Sequence, residues 1–169
     1  LTGPVQNQPD FQAGAADHRT HFASDVPGLV RQAMAEYSAL TGRHYSPVHT
    51  YMCDDADYVM VGVGSVTDDV EAVVTYLRGQ GKKVGVISVK LLQPFPEAEL
   101  VAALAGKKGV TVLERSEQTA LTTFVTQALF KARENADQKR HDGIPAIKAM
   151  PKLTTAIFGL GGHDLQPRH

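Results

Sequence analysis

The sequence predicts an α/β fold, a doubly wound and mostly parallel sheet with helices on both faces. Three observations predict it. Tyr58–Val63 is a short Val- and Met-rich run suited to a strand buried on both faces. From Val66 the period becomes helical, with Val66, Val70, Val73, Val74 and Leu77 on one face. A second apolar run, Val84–Leu92, follows a stop at Gly79 and Gly81, and so short a link implies a right-handed crossover between parallel strands.

Taken in order, residues 1–23 are rich in Gln, Asn, Asp, Gly and His and lack periodicity, so an extended N-terminal arm or linker is expected there. The α/β domain is expected over residues 24–169. Ser24 is placed as an N-cap, with Asp25 and Pro27 in the first turn. Val26, Leu29, Val30, Ala33, Met34, Tyr37 and Leu40 form an apolar stripe that Gly42 ends. Residues 43–55 cross to the first strand through Pro47. After Pro94–Phe95–Pro96 comes a short helix with Glu97 and Glu99 in its first turn and Leu100, Val101 and Leu104 inward. Val110–Leu113 is a third strand. A long helix marked by Leu121, Phe124, Val125, Ala128 and Leu129 then fades into a charged run. Pro145–Ile157, broken by Pro151, leaves room for one more edge strand.

Composition narrows the functional classes. At 169 residues and 43% apolar, the chain is long enough for a real core. Its 17 basic and 18 acidic residues are spread evenly, which argues against nucleic acid or an anionic membrane as main partner. No apolar run approaches the roughly 20 residues that span a bilayer. A single cysteine, Cys53, excludes an internal disulfide and any cysteine-ligated cluster held by this chain alone, and a cytoplasmic setting is expected. The irregular ends suggest a piece of a longer protein.

Few constellations carry chemistry. Gly62-Val63-Gly64-Ser65-Val66-Thr67 lies at a strand-to-helix turn where dinucleotide folds bind pyrophosphate. Thr67 stands at the third glycine position, however, and Asp68, Asp69 and Glu71 already answer the helix dipole. His18 with His21, His44 with His49, and His141 lie in expected loops without metal-ligand spacing. Cys53 beside Asp54 and Asp55 has surroundings that raise a thiol pKa. Glu114-Arg115-Ser116-Glu117 sits past the carboxyl end of a strand, where open α/β sheets receive ligands or partners. A solvated charge cluster is the other reading of that stretch. No catalytic, metal or cofactor-binding residue is assigned. Gly64, Ser65, Glu114, Arg115 and Glu117 are the candidate interdomain or ligand-approach contacts.

Several stretches, in order from end to end, resemble the pyruvate:ferredoxin (flavodoxin) oxidoreductases and related 2-oxoacid oxidoreductases. They are Pro4-Val5-Gln6-Asn7-Gln8-Pro9-Asp10-Phe11-Gln12, Thr41-Gly42-Arg43-His44-Tyr45, Val61-Gly62-Val63-Gly64-Ser65 and Gly81 through Phe95. Val112-Leu113-Glu114-Arg115-Ser116-Glu117 and Phe158-Gly159-Leu160-Gly161-Gly162-His163-Asp164-Leu165-Gln166-Pro167 continue the likeness. Gln93 replaces an arginine of the family's Arg-Pro-Phe, and Gln118-Thr119-Ala120 replaces a Pro-Gly-Ala-type turn, which marks a divergent branch.

The resemblance implies the second domain of such an enzyme, a three-layer fold similar to the C-terminal domain of transketolases. It implies a whole enzyme that decarboxylates a 2-oxoacid on thiamine diphosphate with magnesium. Electrons would pass through iron–sulfur clusters to ferredoxin or flavodoxin, and the acyl group to coenzyme A. Those cofactors are expected in other domains, with this one structural, inactive alone, and part of a homo-oligomer. Two alternatives stand beside it: the equivalent domain of a transketolase-like enzyme, and a stand-alone α/β interaction or small-ligand module.

Overall fold

Five strands share one sheet in the order β1-β3-β2-β4-β5. They are β1 (Val48–Tyr51), β2 (Tyr58–Gly62), β3 (Val84–Val89), β4 (Gly109–Glu114) and β5 (Lys152–Ile157). β2, β3, β4 and β5 run parallel, whereas β1 pairs antiparallel with β3, Val48 opposite Val89. The computed structural model describes residues 5–163 and 165–166, with the backbone alone for Ala23. Leu1–Ser46 and Pro47–His169 form separate compact units.

In the second unit the helices are α2 (Val66–Gly79), α3 (Glu97–Leu104) and α4 (Ala120–Asp137), with a 3₁₀ turn at Leu160–Gly162. Alternation along the strands divides the core. Val59, Val61, Ile87, Val110 and Val112 point to one face and pack with Leu100, Leu104, Val125 and Leu129 of α3 and α4. Each fully buried side chain of this size contributes roughly 1.5–3 kcal/mol. Val86 and Leu113 point to the other face, beneath Val66, Val70 and Val74 of α2. The valine stripe and the inward Leu100, Val101 and Leu104 thus sit where their periodicity places them.

Three expectations are corrected. Residues 43–55 are not only a crossing, because Val48–Tyr51 is a strand; four residues with an exposed Thr50 give too short a pattern to read. β2 is not buried on both faces, since Tyr58 is 57% and Met60 39% exposed on the side that α2 only partly covers. Residues 8–23 are not an extended arm. They begin α1 (Gln8–Thr41), so Ser24 is mid-helix and Pro27 lies inside it.

Local pairs explain that last miss. Pro9 and Asp10 suit a first helical turn. His18 and Phe22 stack with ring centroids 4.8 Å apart, and His21 reaches Asp17 at 3.5 Å and Asp25 at 3.4 Å. The Ser24 hydroxyl donates to the Thr20 carbonyl at 3.0 Å and also bonds Asp25, holding that carboxyl below its usual range. Polar i,i+4 contacts replace the apolar stripe that a sequence reading looks for. The helix ends as expected at Gly42, whose φ of 69° lets its N–H close on the Ser38 carbonyl. Pro4, Asp164 and Pro167 of the family-like stretches lie outside the described residues.

Candidate functional site: a cleft between β2 and β4

The chain leaves β2 through α2 toward β3 on one side, and leaves β4 through α4 toward β5 on the other. The connections diverge at the carboxyl ends of β2 and β4, the place where open α/β sheets form a crevice. A cleft of about 640 Å³ lies there. Gly64, Ser65 and Asp69 line it after β2, Glu114 and Arg115 at the carboxyl end of β4, Phe124 from α4, and Phe158 and His163 from the segment after β5. Four of the five candidate contact residues are therefore brought together. Glu117 is exposed and outside the lining.

Each wall follows from local chemistry. Gly64 turns the chain at a φ of +80°, which few side chains tolerate. Its carbonyl accepts the Thr67 amide at 3.2 Å and the Thr67 hydroxyl at 2.8 Å. Thr67 is fully buried and its hydroxyl also pairs with Ser88 at 2.9 Å. A Cβ on Gly62 would lie 3.0 Å from the Thr67 methyl, so this glycine serves close helix–strand packing. Ser65 precedes α2, its carbonyl taking the Asp68 amide at 3.0 Å.

Across the cleft, Glu114 is 6% exposed, so it belongs to no solvated charge cluster. Its carboxylate accepts the Thr122 amide of the first turn of α4 at 2.6 Å. Thr119, at the N-cap position, has a left-handed φ of 49° and makes no side-chain cap of its own. Glu114 takes that role from the preceding strand. Arg115 is exposed and lies against Gly159, where a Cβ would come within 3.1 Å of its Nε and 3.2 Å of its Cγ. Gly159 has φ +67°, so its lack of a side chain both permits the turn and makes room for the arginine. No described residue bonds to the Arg115 guanidinium.

The cleft residues do not fit a magnesium–diphosphate group. The Thr67 and Asp68 amides already donate to Gly64 and Ser65, the Thr122 amide to Glu114, and Asp69 and Glu114 set negative charge at both helix starts. Among the described residues no three His, Cys, Asp or Glu side chains are placed to share a metal ion. His141 pairs instead with Glu134 at 2.7 Å, and His49 approaches Glu71 at 3.5 Å. Cys53 is buried, and burial is the chief cause that raises its thiol pKa. The sequence reading missed Phe124 and Phe158 as cleft residues, and Gly159 as the residue that makes room for Arg115. Its one available signal was the glycine directly after a strand and an aromatic.

Fold and crevice together define a doubly wound α/β domain with a cleft between two diverging loops. Residues 56–169 match the pyruvate:ferredoxin oxidoreductase core domain II, and the chain belongs to that family. It is 35% identical over 146 residues to pyruvate synthase subunit PorA of Thermotoga maritima, covering 86% of this chain and 34% of the relative. It is 32% identical over 168 residues to the pyruvate-flavodoxin oxidoreductase of Klebsiella pneumoniae, covering 99% of this chain and 13% of that one. Among solved structures, the 2-oxoglutarate:ferredoxin oxidoreductase from Magnetococcus marinus, with 2-oxoglutarate, coenzyme A and succinyl-CoA bound, superimposes with a TM-score of 0.53. Its identity is 25%, over 79% of this chain and 19% of that chain. The chain thus spans about a third or less of the relatives it matches.

Proposed function

We propose that this chain is the non-catalytic second domain of a thiamine-diphosphate-dependent 2-oxoacid:ferredoxin or flavodoxin oxidoreductase. The full enzyme oxidatively decarboxylates a 2-oxoacid and passes the acyl group to coenzyme A. Thiamine diphosphate, magnesium and iron–sulfur clusters belong to its other domains, in a cytoplasmic homo-oligomer. Within it, the cleft between β2 and β4 docks a neighbouring domain or walls the ligand approach. Gly64 and Ser65 supply one rim, Arg115 and the nearby Glu117 offer charge, and Glu114 fixes the loop that carries them.

The observation that carries this reading is the family match over a domain whose α2 and α4 starts, beside the cleft, are already answered. Such a domain has a surface to offer and no diphosphate site of its own. The gene product that contains this domain should reduce a viologen dye only with a 2-oxoacid and coenzyme A together. Titration of the 169-residue chain with thiamine diphosphate plus magnesium should give no heat. An affinity tighter than roughly 10 μM, about −7 kcal/mol, would reverse the division of labour. Dye reduction without coenzyme A dependence would remove the acyl-transfer part.

A further inference from the structure

On the α2 side of the sheet a second groove, of about 350 Å³, opens at the starting ends of β2, β3, β4 and β5, away from the cleft. Two rows cross its floor: Tyr58–Gly109–Lys152 and Met60–Thr111–Thr154. Among the described residues of this unit, α2 is the helix packed on this face, and its Val73 and Leu77 form one wall. The floor is built for contact. The Tyr58 ring lies over Gly109, where a Cβ would fall 2.8 Å from the ring, and it is 57% exposed. The Thr111 hydroxyl bonds that of Thr154 at 2.9 Å, and the Thr154 hydroxyl donates to the Val110 carbonyl at 3.4 Å, so covering them leaves no donor stranded.

Size and charge select the occupant. Three neighbouring strands span about 10 Å, close to the diameter of one helix. A doubly wound sheet covers both faces with helices, and among the described residues of this unit the strip over β2, β4 and β5 lacks one. At its rim Lys108 pairs with Asp57 at 3.0 Å, while the Lys152 ammonium has no carboxylate partner among the described residues. We propose that this groove receives an amphipathic helix from another domain or subunit of the same enzyme, apolar toward Tyr58 and Met60 and acidic toward Lys152. The partner's identity rests on the oxidoreductase reading; the helix and its charge rest on the groove.

The test places Thr154→Cys and Met60→Cys in the full-length enzyme, with Gln127→Cys on the exposed side of α4 as reference. Maleimide labelling at Thr154→Cys and Met60→Cys should be at least about tenfold slower than at the reference, the protection that about 1.4 kcal/mol gives. Lys152→Glu should speed that labelling and Lys152→Arg should not. A photo-crosslinker on the Met60→Cys thiol should join a segment with helical apolar spacing and carboxylates. Labelling as fast as at the reference, or a crosslink to a second copy of this domain, overturns the proposal. Dye reduction measured on the same preparations reports separately on the oxidoreductase reading, so either idea can fail alone.

Discussion

The carboxylate of Glu114, last residue of β4, accepts the amide proton of Thr122 in the first turn of α4. A strand end thereby caps the helix eight residues on, and the loop that carries Arg115 is pinned between them. Replacing Glu114 with Ala removes the cap and should lower stability by about 1–2 kcal/mol, the usual cost of losing a helix N-cap. Glu114→Gln keeps an acceptor and should lose less. Thermal or urea denaturation of both variants checks this, and equal losses would deny the cap its role.

Arg115 and Glu117 are exposed and should behave differently. Arg115→Gln and Glu117→Ala should leave the melting temperature unchanged while weakening assembly with the neighbouring domains. Gly159→Ala crowds the Arg115 side chain and strains a positive φ, so it should weaken assembly and also lower stability by about 1 kcal/mol or more. Sedimentation of full-length variants beside melting curves separates the two effects. Intact assembly in all three would leave the cleft without a docking role.

Thr67 ties three pieces together through the Gly64 carbonyl, the Ser88 hydroxyl and the close approach to Gly62. Thr67→Val keeps the shape and deletes the hydroxyl, stranding a buried partner, and should cost about 1–3 kcal/mol. Thr67→Ser, which keeps the hydroxyl, should retain more of the hydrogen-bond contribution. Denaturation midpoints for the pair decide it.

The buried Cys53 thiol donates weakly to the carbonyls of Tyr51 and Val86 at 3.4 and 3.3 Å. Its pKa is raised on folding, first by burial. The folded state therefore holds this proton more tightly than the unfolded chain. The associated stability is complete below the unfolded thiol pKa of about 8.5 and is lost as pH rises toward the folded value. Cys53→Ala should flatten the decline in stability above about pH 8.5, measured by urea unfolding across that range.

Much of the second unit was legible because its signals are local. The valines of α2 and the inward Leu100, Val101 and Leu104 each obey one periodicity. The departure from a third glycine at Thr67 was visible too, although its buried pairing with Ser88 was not. Other features depend on partners far away in sequence. Nothing near Glu114 announces that its carboxylate turns to Thr122, and nothing near Tyr58 shows that its ring stays exposed. α1 was misread for the opposite reason: its support is local but polar, and a search for apolar stripes passes over it.

Both margins of the sheet bear on how this domain behaves when expressed by itself. One margin, β1, is only four residues long and turned antiparallel to its neighbour. The other, β5, begins with Lys152 directly after Pro151. Short length, a cation and a proline are the devices that keep unpaired backbone from recruiting another chain. Fibril-like stacking through the edges is thus discouraged, and any self-association of the purified chain should proceed through the open faces. Detergent or an added amphipathic peptide should then disperse it, while a strand-mimicking peptide should not.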